Sequence, residues 1–357
     1  MCTVRFKVSV VILLSIIQFS CQSVENEDKI IIDLDEIEER LEYSSFVDSV
    51  SYVTLQMKDD AYIGGLERLY KWGNFYYVWG THRSGIFIFD ASGKLYAHIN
   101  SFGEGPESFR MISSFTIVKS SGDVCIMDYA SQKMKYFTKE GDFRKSVPCP
   151  YWSVDIAAFN PDNVIFISPF YAGEENPNGI WMTDMDKISI RHLRSDVMSN
   201  HQLYYYPMTY CWGDTCIYYY DRNWDYLSSI SPNGMKFICQ FDVKQKIPAS
   251  MIPIVNNDPF RLNGYAICDK FVYAPTCVLM LFCKFGKEGK RSYIWAMLDM
   301  NEKQINLAND LYNDLDDVLI NSRNLFQLDE STWARVFEEE DDNFNVKIQL
   351  LHLKKGW

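Results

Sequence analysis

The sequence predicts an all-β fold, and three observations carry that expectation. Aromatic residues make up 15% of the 357 positions, with 23 Tyr, 23 Phe and 9 Trp, and such side chains fit pleated sheet better than helix. A strand, a tight glycine turn and a second strand recur: at 87–96 around Gly93, at 135–143 around Gly141 and at 229–237 around Gly234. The first two stand roughly fifty residues apart and the third follows after close to two such intervals, the spacing of a repeated structural unit. Almost no stretch shows the i, i+3, i+4 apolar spacing of an amphipathic helix. Four strands repeating at this period make the blade of a β-propeller. The expectation is therefore a six-bladed β-propeller of four-stranded antiparallel blades, closed by an N-terminal strand.

The chain begins with an address. Arg5 and Lys7 precede an apolar run from Val8 to Ile17, too short for a bilayer of ~30 Å, which needs about 20 residues of helix. A basic flank and a short apolar stretch identify residues 1–20 as a signal peptide. Gln18-Phe19-Ser20-Cys21 resembles the lipobox of bacterial lipoproteins, although Gln18 and Phe19 depart from its strict form. That resemblance implies lipid attachment at Cys21, and each buried acyl CH₂ adds ~0.8 kcal/mol of membrane affinity. Residues 21–45 then read as the lipidated cysteine and a polar tether, opened by Gln22-Ser23-Val24-Glu25-Asn26-Glu27-Asp28. An acidic stretch in this place resembles the surface-export signal of Bacteroidota lipoproteins, which implies the outer membrane, on its surface or periplasmic face.

The propeller is assigned to residues 46–357. Ser51-Tyr52-Val53-Thr54-Leu55 is the expected closing strand, completing the last blade. Six units follow at about 61–100, 113–148, 154–193, 204–241, 261–308 and 322–352. Within them a polar turn leads into an apolar strand, as at Gly73-Asn74-Phe75, Gly122-Asp123-Val124, Asp162-Asn163-Val164, Gly213-Asp214-Thr215 and, in the fifth, Asp269-Lys270-Phe271. The third unit lacks the glycine in its last turn, at 181–188, and the fifth, at 296–303, follows a longer insertion. Blades that pack face to face bury both sides of their sheets, so Tyr204-Tyr205-Tyr206 and Tyr218-Tyr219-Tyr220 need no alternation with polar residues.

The sequence resembles the six-bladed propeller lipoproteins of Bacteroidota, relatives of the NHL/TolB-like propellers. The resemblance rests on Val53-Thr54-Leu55 before the first blade, on Gly85-Ile86-Phe87-Ile88-Phe89-Asp90 with Gly93-Lys94, and on Gly103-Glu104-Gly105-Pro106-Glu107-Ser108-Phe109 after blade one. It covers residues 46–352 and implies fold more than activity.

Composition and motifs exclude more chemistry than they suggest. A net charge of −12 denies the chain the basic footprint of a nucleic-acid binder. The Gly103–Phe109 loop lacks the third glycine and the lysine of a phosphate cradle, so its glycines and Pro106 read as turn residues between blades. His82, His98, His192, His201 and His352 form no H-E-x-x-H pair, and no G-x-S-x-G elbow is present. No cofactor is expected. Calcium is the metal to weigh at Glu338-Glu339-Glu340-Asp341-Asp342, but five consecutive carboxylates lack the spaced ligands of a dedicated loop, and a solvated hairpin explains them as well. Cys211 and Cys216 flank Trp212-Gly213-Asp214-Thr215. A two-residue loop at Gly213-Asp214 would set them across a hairpin and allow a disulfide; two free buried thiols are the competing expectation.

A ligand is expected where loops converge on the axis, on the face carrying the turns between second and third strands and the crossings between blades. His82, Arg83, Arg110, Lys133, Trp152, Tyr171, Arg222 and Trp224 map there, and aromatic and Arg side chains are typical binding anchors. Surface decoration of an aromatic-rich protein is the blander account of any one of them. The expected function is a monomeric, lipid-anchored module that binds a glycan, a peptide or an envelope protein. A hydrolase or lyase with an axial site, metal-dependent in some propellers, is the alternative.

Overall fold

The computed structural model describes residues 29–57, 63–81, 83–149, 155–160, 163–168, 179–184, 189–194, 210–221, 225–251, 254, 258–316, 318, 322–338 and 346–355. Its strands form six separate antiparallel blades. Blade one runs Leu66–Trp72, Phe75–Gly80, Ile86–Asp90, Leu95–Ile99, and blade two Ile112–Ile117, Val124–Asp128, Lys133–Phe137, Phe143–Pro148. Blade three holds Asp155–Asn160, Asn163–Ser168, Gly179–Asp184 and Ser189–Arg194; blade four holds Tyr210–Trp212, Ile217–Asp221, Tyr226–Ser231 and Gly234–Val243. Blade five comprises Ala266–Tyr273, Cys277–Phe285, Arg291–Asp299 and Ile305–Tyr312. Blade six takes Asn324–Gln327, Thr332–Glu338 and Val346–Leu353 from the end of the chain and Val47–Leu55 from its start. This is the six-bladed propeller read from the sequence, closed by the strand expected to close it. In blade three Asp184 pairs with Ser189 without any glycine between them.

Closure reaches beyond blade six. Past its last strand residue, Gln56 donates its N–H to the Gly93 carbonyl at 2.7 Å in the last turn of blade one. Asp90 builds that turn, its Oδ1 accepting from the Ser92 N–H at 2.9 Å and the Lys94 N–H at 3.1 Å. Gly93 is required there twice over: its φ is +82°, and a Cβ would stand 2.0 Å from the Thr54 carbonyl oxygen.

Part of the stretch 21–45 also lies on the propeller. Ile30–Ile32 pairs in parallel with Phe241–Val243 on the outer edge of blade four, and Glu38–Glu42 pairs in parallel with the last strand of blade five. Covering an edge satisfies backbone groups that would otherwise template association. Ile32 and Leu34 of this strap are fully buried. Gln245 fixes the bend between its two strands, donating to Asp33 and Asp35 and accepting from the Leu34 N–H, and Lys284 pairs with Asp35.

The aromatic surplus goes mainly into packing between blades. Among the described residues the largest fully buried side chains are Trp333, Tyr43, Tyr77, Tyr210, Tyr220 and a series of phenylalanines. One apolar cluster runs through blades one to four, while others join blades four to five, five to six and six to one.

Candidate functional site

The first strand of each blade lines the axis, and a charged residue interrupts several of them. Arg68 lies on the first strand of blade one and Asp155 opens that of blade three. Arg68 donates from both terminal nitrogens to the two carboxylate oxygens of Asp155, at 2.7 and 2.5 Å. Ser114 of blade two donates to Asp155 at 2.6 Å and accepts from Arg68 at 3.2 Å. Tyr70 and Tyr210 accept from Arg68 at 3.1 and 3.0 Å, and the Tyr210 hydroxyl donates to the Ile156 carbonyl at 2.7 Å. Burial opposes the Arg68 charge, but the facing carboxylate outweighs it and raises the pKa further, so the guanidinium stays charged. Burial also raises the Tyr70 and Tyr210 hydroxyls, reinforced by the Asp155 charge. Four blades are thus tied together by one buried network, with its polar groups turned on each other.

Beyond this waist the channel opens on the face of the hairpins between first and second strands. A cleft of about 450 Å³ there is lined by Lys71, Trp72, Gly73, Lys119, Asp214, Leu328 and Asp329, from blades one, two, four and six. Trp72 forms a wall: its indole donates to the Lys119 carbonyl at 2.8 Å, and its ring stands where a Cβ on Gly122 would be, 2.5 Å away. The Lys119 ammonium lies 4.9 Å from the Trp212 ring centre. It has no hydrogen-bond acceptor among the described residues, and burial lowers its pKa against the pull of Asp214 and Asp329. Glu330 seals the neighbouring hairpin, accepting from the Tyr218 hydroxyl at 2.6 Å. The Trp212 indole N–H is buried without an acceptor among the described residues.

A second under-satisfied ammonium lies on blade five. A bulge in its first strand displaces the register between Cys268 and Lys270. Among the described residues Lys270 Nζ donates once, to Asn324 Oδ1 of blade six at 3.1 Å, and it sits 5.1 Å from the Phe326 ring centre. Burial lowers its pKa, while Asp269 and Glu67 partly restore it. Among the described residues it forms no salt bridge.

Of the eight residues expected to bind a ligand, Arg83, Arg110 and Lys133 lie among the described residues. Cys21, His82, Trp152, Tyr171, Arg222 and Trp224 lie outside the described residues, as do 339–342 of the acidic run. Arg83 is exposed in the turn between second and third strands of blade one, 5.8 Å from the Phe102 ring. Arg110 and Lys133 come together on blade two, where Arg110 donates to the Ala130 carbonyl at 3.0 Å and its N–H to Asp128 at 3.2 Å. They share that rim with Lys135, which is buried and holds the Gly103–Phe109 loop through the Pro106 and Ser108 carbonyls. This face lies opposite the cleft. Sequence reading missed Arg68, Asp155, Lys119 and Lys270. The one signal for Arg68, Asp155 and Lys270 was a charge inside an apolar first strand, as in Leu66-Glu67-Arg68-Leu69-Tyr70 and Asp269-Lys270-Phe271; Lys119, in the turn after Ile112–Ile117, carried none.

The hairpin of blade four has a longer loop than the one that would set Cys211 across from Cys216. Trp212 pairs with Ile217 and Cys211 with Tyr218, so the loop is the four residues 213–216, fastened by the Gly213 N–H on the Cys216 carbonyl at 2.8 Å. Cys216 therefore sits in the turn rather than across the ladder from Cys211. Both thiols are free.

The sequence profile of the domain of unknown function DUF4934 matches residues 29–351. No curated protein matches the chain. Among solved structures, a candidate exported protein from Bacteroides fragilis superimposes with a TM-score of 0.73 at 12% identity, covering 91% of this chain and 100% of its own. A DUF4221 family member from Bacteroides vulgatus superimposes with a TM-score of 0.57 at 11% identity, covering 86% and 97%. At these identities the likeness is one of fold.

Proposed function

We propose that this chain, which belongs to the DUF4934 family, is a lipid-anchored binding module of the cell envelope that holds a glycan, a peptide or an envelope protein. One observation carries the reading: the titratable pair at the axial waist is engaged with itself, while the hairpin-side cleft presents charged groups with spare hydrogen-bonding capacity. Arg68 and Asp155 spend their donors and acceptors on each other, on Ser114 and on two tyrosines, which leaves a hydrolase or lyase no free acid or base in that pair. Lys119 in the cleft has donors to offer. Export is supported by the basic and apolar start of the sequence and by the Bacteroides fragilis neighbour, a candidate exported protein. Anchoring rests on the lipobox-like Ser20-Cys21 and the polar stretch behind it.

Two measurements test this. Cells expressing the full chain are fractionated beside cells expressing Cys21→Ala; the intact chain is expected with the outer membrane and the variant in the soluble fraction. A variant that still pellets with the membrane ends the anchor proposal. The purified chain is then passed over arrays of glycans and peptides and over solubilised envelope extract. Saturable retention on one of these is expected. Turnover of an ester, lactone or glycosidic bond without retention of any partner would replace binding by catalysis.

A further inference from the structure

The cleft also indicates what kind of ligand it takes. We propose that it binds an acidic saccharide, with a sugar carboxylate at Lys119 and Lys71 and sugar hydroxyls on Asp214 and Asp329; the assignment rests on the binding-module reading above. Lys119 is the strongest constraint. An ammonium has three donors, and this one is partly buried beside the Trp212 ring with no acceptor among the described residues. An unmet buried donor costs free energy until a ligand supplies its acceptor, and a carboxylate supplies a charged one, making the stronger bond.

Charge alone does not define the cleft, because Asp214 and Asp329 line it too. Asp214 is exposed and its carboxylate holds no hydrogen bond among the described residues, so it is open to a donor. Asp329 is partly occupied, its Oδ1 accepting from the Ser331 N–H at 2.9 Å and hydroxyl at 2.8 Å. A simple anion would meet repulsion from both carboxylates, and a simple cation would meet it from both lysines. A uronate-type sugar answers all four groups, since it carries one carboxylate and several hydroxyl donors on a rigid ring that loses little entropy on binding. Trp72 and Leu328 give that ring an apolar wall. The volume of about 450 Å³ falls within the usual range of small-ligand sites.

The test is calorimetric titration of the full chain with oligogalacturonides, hyaluronan fragments and sialyllactose, beside neutral oligogalactosides and lactose, and with an acidic Glu-rich peptide as a third class. At least one acidic sugar is expected to bind, at least tenfold tighter than its neutral counterpart, and to weaken as salt is raised. Lys119→Met and Asp214→Asn, both lining the cleft and outside the axial network, should each lower affinity at least tenfold without lowering the melting temperature below that of the parent. Equal binding of neutral sugars, or no effect of Lys119→Met, overturns the carboxylate assignment; equal binding of the Glu-rich peptide overturns the saccharide. If no acidic sugar binds while the chain retains a peptide or envelope protein, the inference falls and the binding-module reading stands. If nothing is retained on any panel, both fall.

Discussion

Arg68 and Asp155, 87 positions apart in the chain, meet at the axis through two hydrogen bonds of 2.7 and 2.5 Å. Blade two lies between their blades and adds Ser114 to the pair. The contact acts as a tie rod between blades whose sheets share no backbone ladder.

Removing one partner strands the other. Arg68→Ala leaves a buried carboxylate and Asp155→Ala a buried guanidinium, and either should destabilise the fold by about 3–5 kcal/mol. The double change Arg68→Met with Asp155→Leu removes both charges and should recover most of that loss. Urea unfolding midpoints for the three variants decide the matter. A single variant costing less than about 1 kcal/mol would mean that the pair contributes no more than a surface ion pair.

Lys270 presents the opposite case, a cation held out of water with one neutral acceptor. Its folded pKa is lowered from the model-compound value of 10.5, chiefly by burial. Between the two values the unfolded chain therefore binds more protons than the native one, and the stability of the parent rises with pH through that window. Lys270→Met should raise the melting temperature at neutral pH by on the order of 2 °C, with the advantage shrinking as pH climbs toward 10.5. Thermal scans from neutral to alkaline pH read it directly. A variant that melts lower at neutral pH would show that the Asn324 contact outweighs the burial penalty.

The N-terminal strap contributes to stability through Ile32, which is fully buried on blade four. Ile32→Ala should cost about 2–5 kcal/mol, expressed first as release of the strap rather than as global unfolding. Limited proteolysis is expected to cut the variant near its N-terminus well before the blades. Equal protease resistance of variant and parent would mean that the strap is held elsewhere, at Gln245 or along Glu38–Glu42.

Burial raises the thiol pKa of both Cys211 and Cys216, which keeps them as weakly reactive thiols at neutral pH. Iodoacetamide should modify Cys211 only after denaturation, and the intact mass without reductant should match unpaired cysteines at 211 and 216. A bridged peptide joining them in a non-reducing digest would contradict this.

Much of the architecture was legible because it is written locally. A glycine turn such as Gly93, with φ of +82°, is encoded within four residues, and its recurrence exposes the blade period. Ser51–Leu55 was recognisable as a closing strand because propellers close by pairing a strand from one terminus with the blade at the other, and the observed strand extends it back to Val47. The strap at Ile30–Ile32 and Glu38–Glu42 was hidden: a three-residue strand has too little pattern to stand out, and it becomes a strand only by pairing with a blade edge more than two hundred residues away. Whether Gly213-Asp214 forms a two-residue loop was open in the sequence for a related reason, since pairing of Trp212 with Ile217, rather than the turn residues, sets the loop length.

By itself the sequence determined an aromatic-rich, acidic chain of six repeated blades behind a leader-like segment. Which charges meet was decided by tertiary structure alone. Arg68, Ser114, Asp155 and Tyr210 belong to four different blades, and Arg68 and Tyr210 are 142 positions apart. Each sits in a strand whose own pattern records only that it is buried. Ring closure fixes the angular place of every blade, and this superposition assembles both the sealed waist and the open, charged cleft beyond it.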